Sequence, residues 1–306
     1  MPARASPCYD MAMNRRTLLR AATLAPAAGA LMPAPAAPHN YHLRYAPRIG
    51  FLNAPIPDQL QAYSDAGFKA FEYNGLPRHS NDEIAGFRKK MDSLGMSMGV
   101  FVVNSGGWKA SATVDKQYHA KFYEDVKRAV EIHNIIGNEC ATVTTGLAVP
   151  QLSFTEQTAN CVEAFRRAAE MVEKTKMVLV LEPLNIRVDH AGYFVVYSDH
   201  GAEIVERVNH PNFRLLFDMY HQQISEGNLI NHFRKHWDKI GYFQVGDVPG
   251  RREPGTGEVN WSNVFKAIHE KGYKGILGME HGLSGGIGPA GMQKCFDEYR
   301  KADQWS

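Results

Sequence analysis

The chain has 306 residues, of which 44% are hydrophobic and 22% charged, with a formal net charge of +2. Those are ordinary globular values, sufficient for one large α/β domain or two smaller ones, and the balanced charge gives no reason to expect a nucleic-acid partner. Four cysteines at 8, 140, 161 and 295, with no CxxC spacing, argue against a zinc knuckle, a dithiol redox pair or a complete disulfide framework.

The first segment differs from the rest. Asn14-Arg15-Arg16-Thr17-Leu18-Leu19 opens an acid-free stretch, AATLAPAAGALMPAPAA, that ends in Ala34-Pro35-Ala36. Basic start, small-residue apolar core and A-x-A terminus follow the order of a secretory signal. The paired arginines followed by Leu resemble a twin-arginine export signal. Pro26 and Pro33 break the short apolar run, so no stable membrane span is expected after processing. The expectation is a cleavable leader over residues 1–37 and one domain over 38–306, with Met11 or Met13 as alternative starts. Export implies a periplasmic location; an unused leader implies a cytoplasmic one. The twin-arginine route, by the same resemblance, carries folded proteins, which allows a metal to be loaded before export.

After the leader, apolar runs alternate with amphipathic helical stretches. The predicted strands are 48–54, 68–75, 96–104, 138–146, 177–185, 213–221, 242–248 and 275–282. The predicted helices are 56–67, 81–95, 114–136, 155–174, 198–208, 228–241, 261–272 and 292–302. Near-continuous apolar strands, each followed by a helix, imply parallel strands buried on both faces. Eight such units predict a (β/α)₈ TIM barrel. No GxGxxG follows the first strand, which weakens a dinucleotide-binding sheet.

Barrel enzymes place their chemistry where the strands end. The second strand offers Glu72 there. Four consecutive strands then offer Glu182, Asp218, Gln244 and Glu280, spaced 36, 26 and 36 residues apart. Each follows an apolar run, so each is expected to be partly buried. A buried carboxylate is costly unless paired, and three converging carboxylates call for a cation. Three carboxylates and an amide oxygen form a hard, all-oxygen set suited to one divalent ion, Mn²⁺ or Mg²⁺, with Co²⁺ also admissible. For any one acid alone, a helix cap or a local arginine pair is the simpler reading.

Five segments carry a resemblance: Glu182-Pro183-Leu184-Asn185, Val188-Asp189-His190 with Gly192-Tyr193, Phe217-Asp218-Met219-Tyr220-His221, Gln244 through Arg251, and Glu253-Pro254-Gly255-Thr256-Gly257-Glu258-Val259-Asn260. They resemble the hydroxypyruvate isomerase family, among the xylose isomerase-like barrels that also include ketose 3-epimerases. The resemblance implies that Glu182, Asp218, Gln244 and Glu280 hold the metal, and that Glu182 and Glu280 are also the acid/base pair. It implies that His221 and Arg251 hold substrate oxygens. A guanidinium at Arg251 suits a carboxylate, as hydroxypyruvate requires. Asp247 reads either as orienting a ligand or as capping its turn. Glu72 reads as a partner of Arg251 or of a substrate hydroxyl. Trp108, Phe51 and Tyr73 read as core packing or as an apolar wall.

The implied reaction removes a proton next to a carbonyl and passes through an enediolate. A divalent ion stabilises that anion, and a carboxylate with a tuned pKa moves the proton. Return to the neighbouring carbon isomerises; return to the opposite face epimerises. Arg252, Gly246 and the His281-Gly282-Leu283-Ser284-Gly285-Gly286 segment depart from the family pattern, which bears on the substrate more than on the metal. The expected partner is a small sugar or hydroxy-keto acid, and a homo-oligomer is compatible with the sequence. The alternatives are a ketose 3-epimerase, a lyase or dehydratase acting through the same enediolate, and a non-catalytic periplasmic sugar-binding barrel.

Overall fold

Eight short parallel strands alternate with helices in the protein's structure, a computed structural model that describes residues 39–104 and 106–305. The expected leader and the Trp108 side chain lie outside the described residues. In chain order the elements are β1 (Arg44–Pro47), α1 (Ile56–Asp65), β2 (Ala70–Phe71), α2 (Asn81–Ser93), β3 (Ser97–Met98), α3 (His119–Ile136), β4 (Cys140–Val143), α4 (Phe154–Val172) and β5 (Val178–Leu181). They continue with α5 (Ser198–Val208), β6 (Phe213–Asp218), α6 (Met219–Ser225), α7 (Leu229–Lys235), β7 (Ile240–Gln244), α8 (Trp261–Glu270), β8 (Ile276–Met279) and α9 (Pro289–Ala302). Among the described residues no helix is long and apolar enough to cross a membrane, and Cys140, Cys161 and Cys295 are buried free thiols.

Local chemistry sets several of these boundaries. Ser80 and Glu83 form a capping box at the start of α2, and Ser153 and Glu156 form another at α4. Each box satisfies backbone N–H groups that the first helical turn leaves without partners. At the other end of α3, Gly137 takes a φ of 73°, a left-handed turn that glycine adopts without steric cost.

Six strands pair in the order β1-β8-β7-β6-β5-β4, and β2 pairs with β3. Two parallel bridges join these sheets into a ring, Arg48 with Glu72 and Val102 with Thr142. Ile49 donates its N–H to the Glu72 carbonyl at 2.8 Å, and Val103 donates to Thr142 at 2.8 Å. The result is the closed TIM barrel that the alternation of elements predicts.

Ala46, Ala70, Val100, Cys140, Val180, Leu216, Tyr242 and Ile276 pack together inside the ring, one from each strand region. A larger cluster, including Leu179, Leu181, Phe213, Leu215 and Phe217, fills the space between strands and helices. Inside the barrel, glycine admits the larger side chains. A Cβ at Gly278 would stand 1.7 Å from Glu72 Oε2.

Two elements differ from expectation. The first strand is Arg44–Pro47, not 48–54. Its short stretch pairs with β8 and buries Tyr45 and Ala46, whereas 48–54 keeps only the bridge at Arg48 before leading into α1. The sixth strand ends at Asp218, and the residues expected to continue it form α6. Asp218 caps that helix, its Oδ1 accepting the Tyr220 N–H at 2.8 Å.

Candidate active site

Strand alternation decides which side chains face inward. Val180, Leu216 and Tyr242 belong to the interior layer; two residues further on come Glu182, Asp218 and Gln244. Ile276 also faces inward, and the same parity reaches Glu280 through Gly278. The donors therefore stand at the C-terminal mouth because each apolar strand sets its parity. Asp218 and Gln244 are register partners on adjacent strands.

Glu182 is 6% exposed, and its carboxylate accepts no hydrogen bond from a described residue. Burial holds its carboxyl well above the usual range, and the charges of Glu280 and Asp218 push the same way. Asp218 is pushed up to about 6 by burial, with Arg251 opposing and Glu280 adding to the rise. Glu280 Oε1 accepts from Asn74 Nδ2 at 2.6 Å, and its Oε2 accepts from Arg251 at 2.9 Å. The same Arg251 nitrogen donates to Asp218 Oδ2 at 2.8 Å. One guanidinium thus bridges two of the three carboxylates, and it lies 4.7 Å from the Tyr220 ring centre.

The loop after β7 holds Arg251 in place. Arg251 has a φ of 50°, uncommon for a residue with a side chain. Asp247 is fully buried and accepts N–H groups from Val248, Gly255, Gly257 and Val259. It caps and knits the loop, and it does not line the cavity. Glu253 is likewise buried and accepts from the Ser284 N–H at 2.9 Å, tying this loop to the one after β8. Within the loop, a Cβ at Gly257 would meet the Val248 carbonyl oxygen at 2.0 Å. This packing gives the GTG of the sequence a structural role.

His221 lies in the first turn of α6, 1% exposed. Its Nδ1 accepts from the Asn185 backbone N–H at 3.2 Å and from the Asn185 amide at 2.7 Å. The amide orientation follows from its other contacts, because Asn185 Oδ1 accepts the Val188 N–H at 2.9 Å. Burial holds the imidazole well below its usual range, and Arg251 and His190 add to the effect. The ring is therefore neutral with its proton on Nε2. That N–H stands 3.6 Å from Asp218 and 3.9 Å from Glu182.

A cavity of about 230 Å³ opens over these groups. Glu182, Glu280, His221, Arg251, Asn74, Thr144, Arg78 and His190 are among its lining residues. The volume lies below the roughly 300–1,000 Å³ typical of drug-sized ligands, which suits a small polar molecule.

The donor chemistry fits a divalent cation. Single atoms of Glu182, Asp218 and His221 lie within 4.8 Å of one another. His221, however, carries its proton on Nε2 and has committed Nδ1, so it is a poor ligand in this tautomer. Gln244 is the better fourth donor. Its Nε2 donates to Glu72 at 2.9 Å, while its Oε1 is buried without a protein partner. A buried carbonyl oxygen left unpaired is expensive, and a cation satisfies it.

Glu72 differs from expectation: it touches neither Arg251 nor the cavity. Wholly buried, it accepts from Gln244 and from Tyr242 at 3.1 Å, and so orients the Gln244 amide from below. Phe51 and Tyr73 do not wall the cavity either. Phe51 is buried against His281 at 5.6 Å, and Tyr73 hydrogen-bonds His79 at 2.8 Å. Asn185 and Arg78 had no individual signal in the sequence. Only the position of Asn185 within the EPLN segment singles it out.

Asn185→Ala is expected to lower kcat by about 10–100-fold, the usual cost of removing a partner that orients a reacting group. Metal content should stay unchanged. Loss of metal along with the rate would mean that Asn185 supports the whole mouth of the barrel rather than His221.

A family profile of xylose isomerase-like TIM barrels matches residues 60–295. A 2-oxo-tetronate isomerase from Cupriavidus necator is 30% identical over 240 residues, covering 76% of this chain and 90% of the relative. A hydroxypyruvate isomerase from Escherichia coli is 33% identical over 161 residues, covering 53% and 62%. The fold is similar to the crystal structure of a 3-keto-D-glucoside 4-epimerase from E. coli, with a TM-score of 0.71 at 18% identity over 85% of this chain and 98% of that one. The chain belongs to the xylose isomerase-like TIM barrel family and is an enzyme of the isomerase class that these relatives represent.

Proposed function

We propose that the protein is a divalent-metal-dependent isomerase of a small hydroxylated 2-oxo compound, of the hydroxypyruvate or 2-oxo-tetronate type. The observation that carries this reading is the cavity floor, where three carboxylates converge beside a buried, unpartnered amide oxygen. Glu182, Asp218, Gln244 and Glu280 are the proposed metal ligands, and an all-oxygen set favours Mn²⁺ or Mg²⁺. A bound divalent ion supplies Lewis acidity for the charge that develops on the substrate oxygens.

The chain's own groups do the remaining work. Glu182 and Glu280 exchange the substrate proton, one removing it and the other returning it. Glu182 suits proton transfer because burial and like charges raise its affinity for a proton. The His221 Nε2–H donates to a substrate oxygen, held in that tautomer by Asn185. Arg251, drawn by the carboxylates to the cavity edge, donates to a second oxygen and helps to exclude water.

The test is a substrate panel of hydroxypyruvate, 2-oxo-tetronates and neutral ketoses with Mn²⁺, Mg²⁺ or Co²⁺, run in deuterated solvent. Isomerised product carrying solvent deuterium supports the reading. Deuterium with inverted configuration at the same carbon would make the protein an epimerase, and tight binding without exchange would make it a binding protein.

Export by the twin-arginine route remains part of the proposal, supported by the order of charge, apolar core and A-x-A terminus in residues 1–37. Expression in a bacterium with that route should yield a mature chain starting near Ala37. An intact leader on active protein in the cytoplasm would count against export.

A further inference from the structure

We infer that Arg78 is the carboxylate-recognition residue of the cavity, and that it makes the preferred substrate a monoanionic hydroxy-oxo acid rather than a neutral ketose. This rests on the proposed isomerase reading and assigns recognition of the substrate carboxylate to one residue.

Two guanidinium groups line the cavity, Arg251 and Arg78. Arg251 spends Nε and Nη2 on Asp218, Glu280 and the Glu280 carbonyl, which leaves Nη1 for a single substrate oxygen and no free fork for a carboxylate. Arg78 stands on the short helical turn Leu76–Arg78 that follows β2. Among the described residues it has no ion pair and no side-chain hydrogen bond. It is exposed at the cavity mouth, free to close on a ligand.

Charge balance points the same way. The cavity floor holds the carboxylates of Glu182, Asp218 and Glu280 against the single cation Arg251. A divalent ion brings that set to neutrality. Among the cavity-lining residues Arg78 is then the remaining charged side chain, and one substrate carboxylate matches it. Its planar fork suits bidentate binding of a carboxylate, and a neutral ketose offers no such partner. Asn74 adds a second element. Its Nδ2 is committed to Glu280, while its Oδ1 is buried without a protein partner. That oxygen accepts from a hydroxyl, so the ligand pairs a carboxylate at Arg78 with a hydroxyl at Asn74.

Two measurements on Mn²⁺-loaded protein test this. The first is calorimetric binding of D-glycerate, which carries the carboxylate and hydroxyls but no carbonyl to react, with glycerol as its neutral counterpart. Arg78→Gln should weaken glycerate binding by about ten-fold or more, equivalent to about 1.4 kcal/mol, and Arg78→Lys should fall between. The second is kinetic. For a 2-oxo-tetronate against the neutral four-carbon ketose, Arg78→Gln should lower the ratio of kcat/KM values by about ten-fold, mostly through KM for the acid. Unchanged glycerate affinity, or equal losses for acid and ketose, overturns the assignment of Arg78. Wild-type protein that isomerises only neutral ketoses overturns both this inference and the oxo-acid reading. Wild-type turnover of the acid with an unaffected Arg78→Gln variant overturns the Arg78 inference alone.

Discussion

Glu182→Gln is expected to lower the rate of solvent-deuterium incorporation into substrate by about 10²–10⁴-fold, the range for losing a positioned acid or base. The substitution keeps volume and shape and removes only the capacity to carry a proton. Glu280→Gln should cost as much, with an added change in KM because Glu280 also anchors Arg251 and Asn74. The two variants should differ in stability. Burial and the neighbouring charges hold the Glu182 carboxyl well above the usual range, so its ionised form opposes folding at neutral pH. Metal-free Glu182→Gln should therefore unfold at a temperature equal to or above that of metal-free wild type. Glu280→Gln gives up an ion pair and should gain less. Deuterium wash-in at the wild-type rate in either variant would remove that glutamate from the acid/base pair.

The second large effect concerns metal and pH together. Protein purified without chelator should hold about one divalent ion per chain, and Asp218→Asn should hold little, since ligand loss removes binding energy. Mn²⁺ at about a hundred times its Kd should stabilise wild type by about 2.7 kcal/mol. For a domain of this size that corresponds to a Tm gain of about 5–10 °C. Asp218 is raised from 3.8 to about 6 in the folded chain. A raised carboxyl contributes stability that is fully present below its unfolded value and is lost as pH rises through the folded value. The metal-free protein should accordingly lose stability between about pH 4 and 6 from this group. Bound metal takes the place of the proton, so the Tm gain should be small at pH 5 and large at pH 7.5. A gain that does not vary with pH, or that persists in Asp218→Asn, would exclude Asp218 as a ligand.

Much of the fold was legible because burial writes itself into periodicity. Strands buried on both faces appear as the apolar runs VLVL and FRLLF, and each is followed by a helix with one apolar face. The boundaries were less legible. Arg44-Tyr45-Ala46-Pro47 opens on a charge and closes on proline, so no apolar run marks it, and it is a strand because β8 lies beside it. Phe217-Asp218-Met219-Tyr220 is apolar on both sides of the acid, so no local pattern marks where strand gives way to helix. The side-chain oxygen of Asp218 makes that change by capping α6.

At the site, the four strand-end donors could be named from the sequence, because barrel geometry brings the ends of parallel strands together and an acid after an apolar run has no cheaper place to lie. Partnerships were beyond reach. Glu72 ends its strand like the others, yet it serves Gln244 from beneath, in space that Gly278 leaves open. Asp247 sits beside the site in sequence and spends its oxygens on backbone N–H groups of its own loop. Asn185 and Arg78 look ordinary in the sequence. One is distinguished by the imidazole it orients, the other by the partner it lacks.

The amino-acid sequence by itself determined the eight-fold alternation, the inward parity of Glu182, Asp218, Gln244 and Glu280, and the hard-oxygen character of the mouth. These are properties of period and residue type, which local chain geometry converts directly into position. Tertiary structure alone decided which nitrogen of His221 carries the proton, how each cavity arginine is engaged, and which buried amide oxygen lacks a protein partner. Each of those depends on hydrogen bonds between residues far apart in the chain, where a shift of about an ångström makes or breaks the bond.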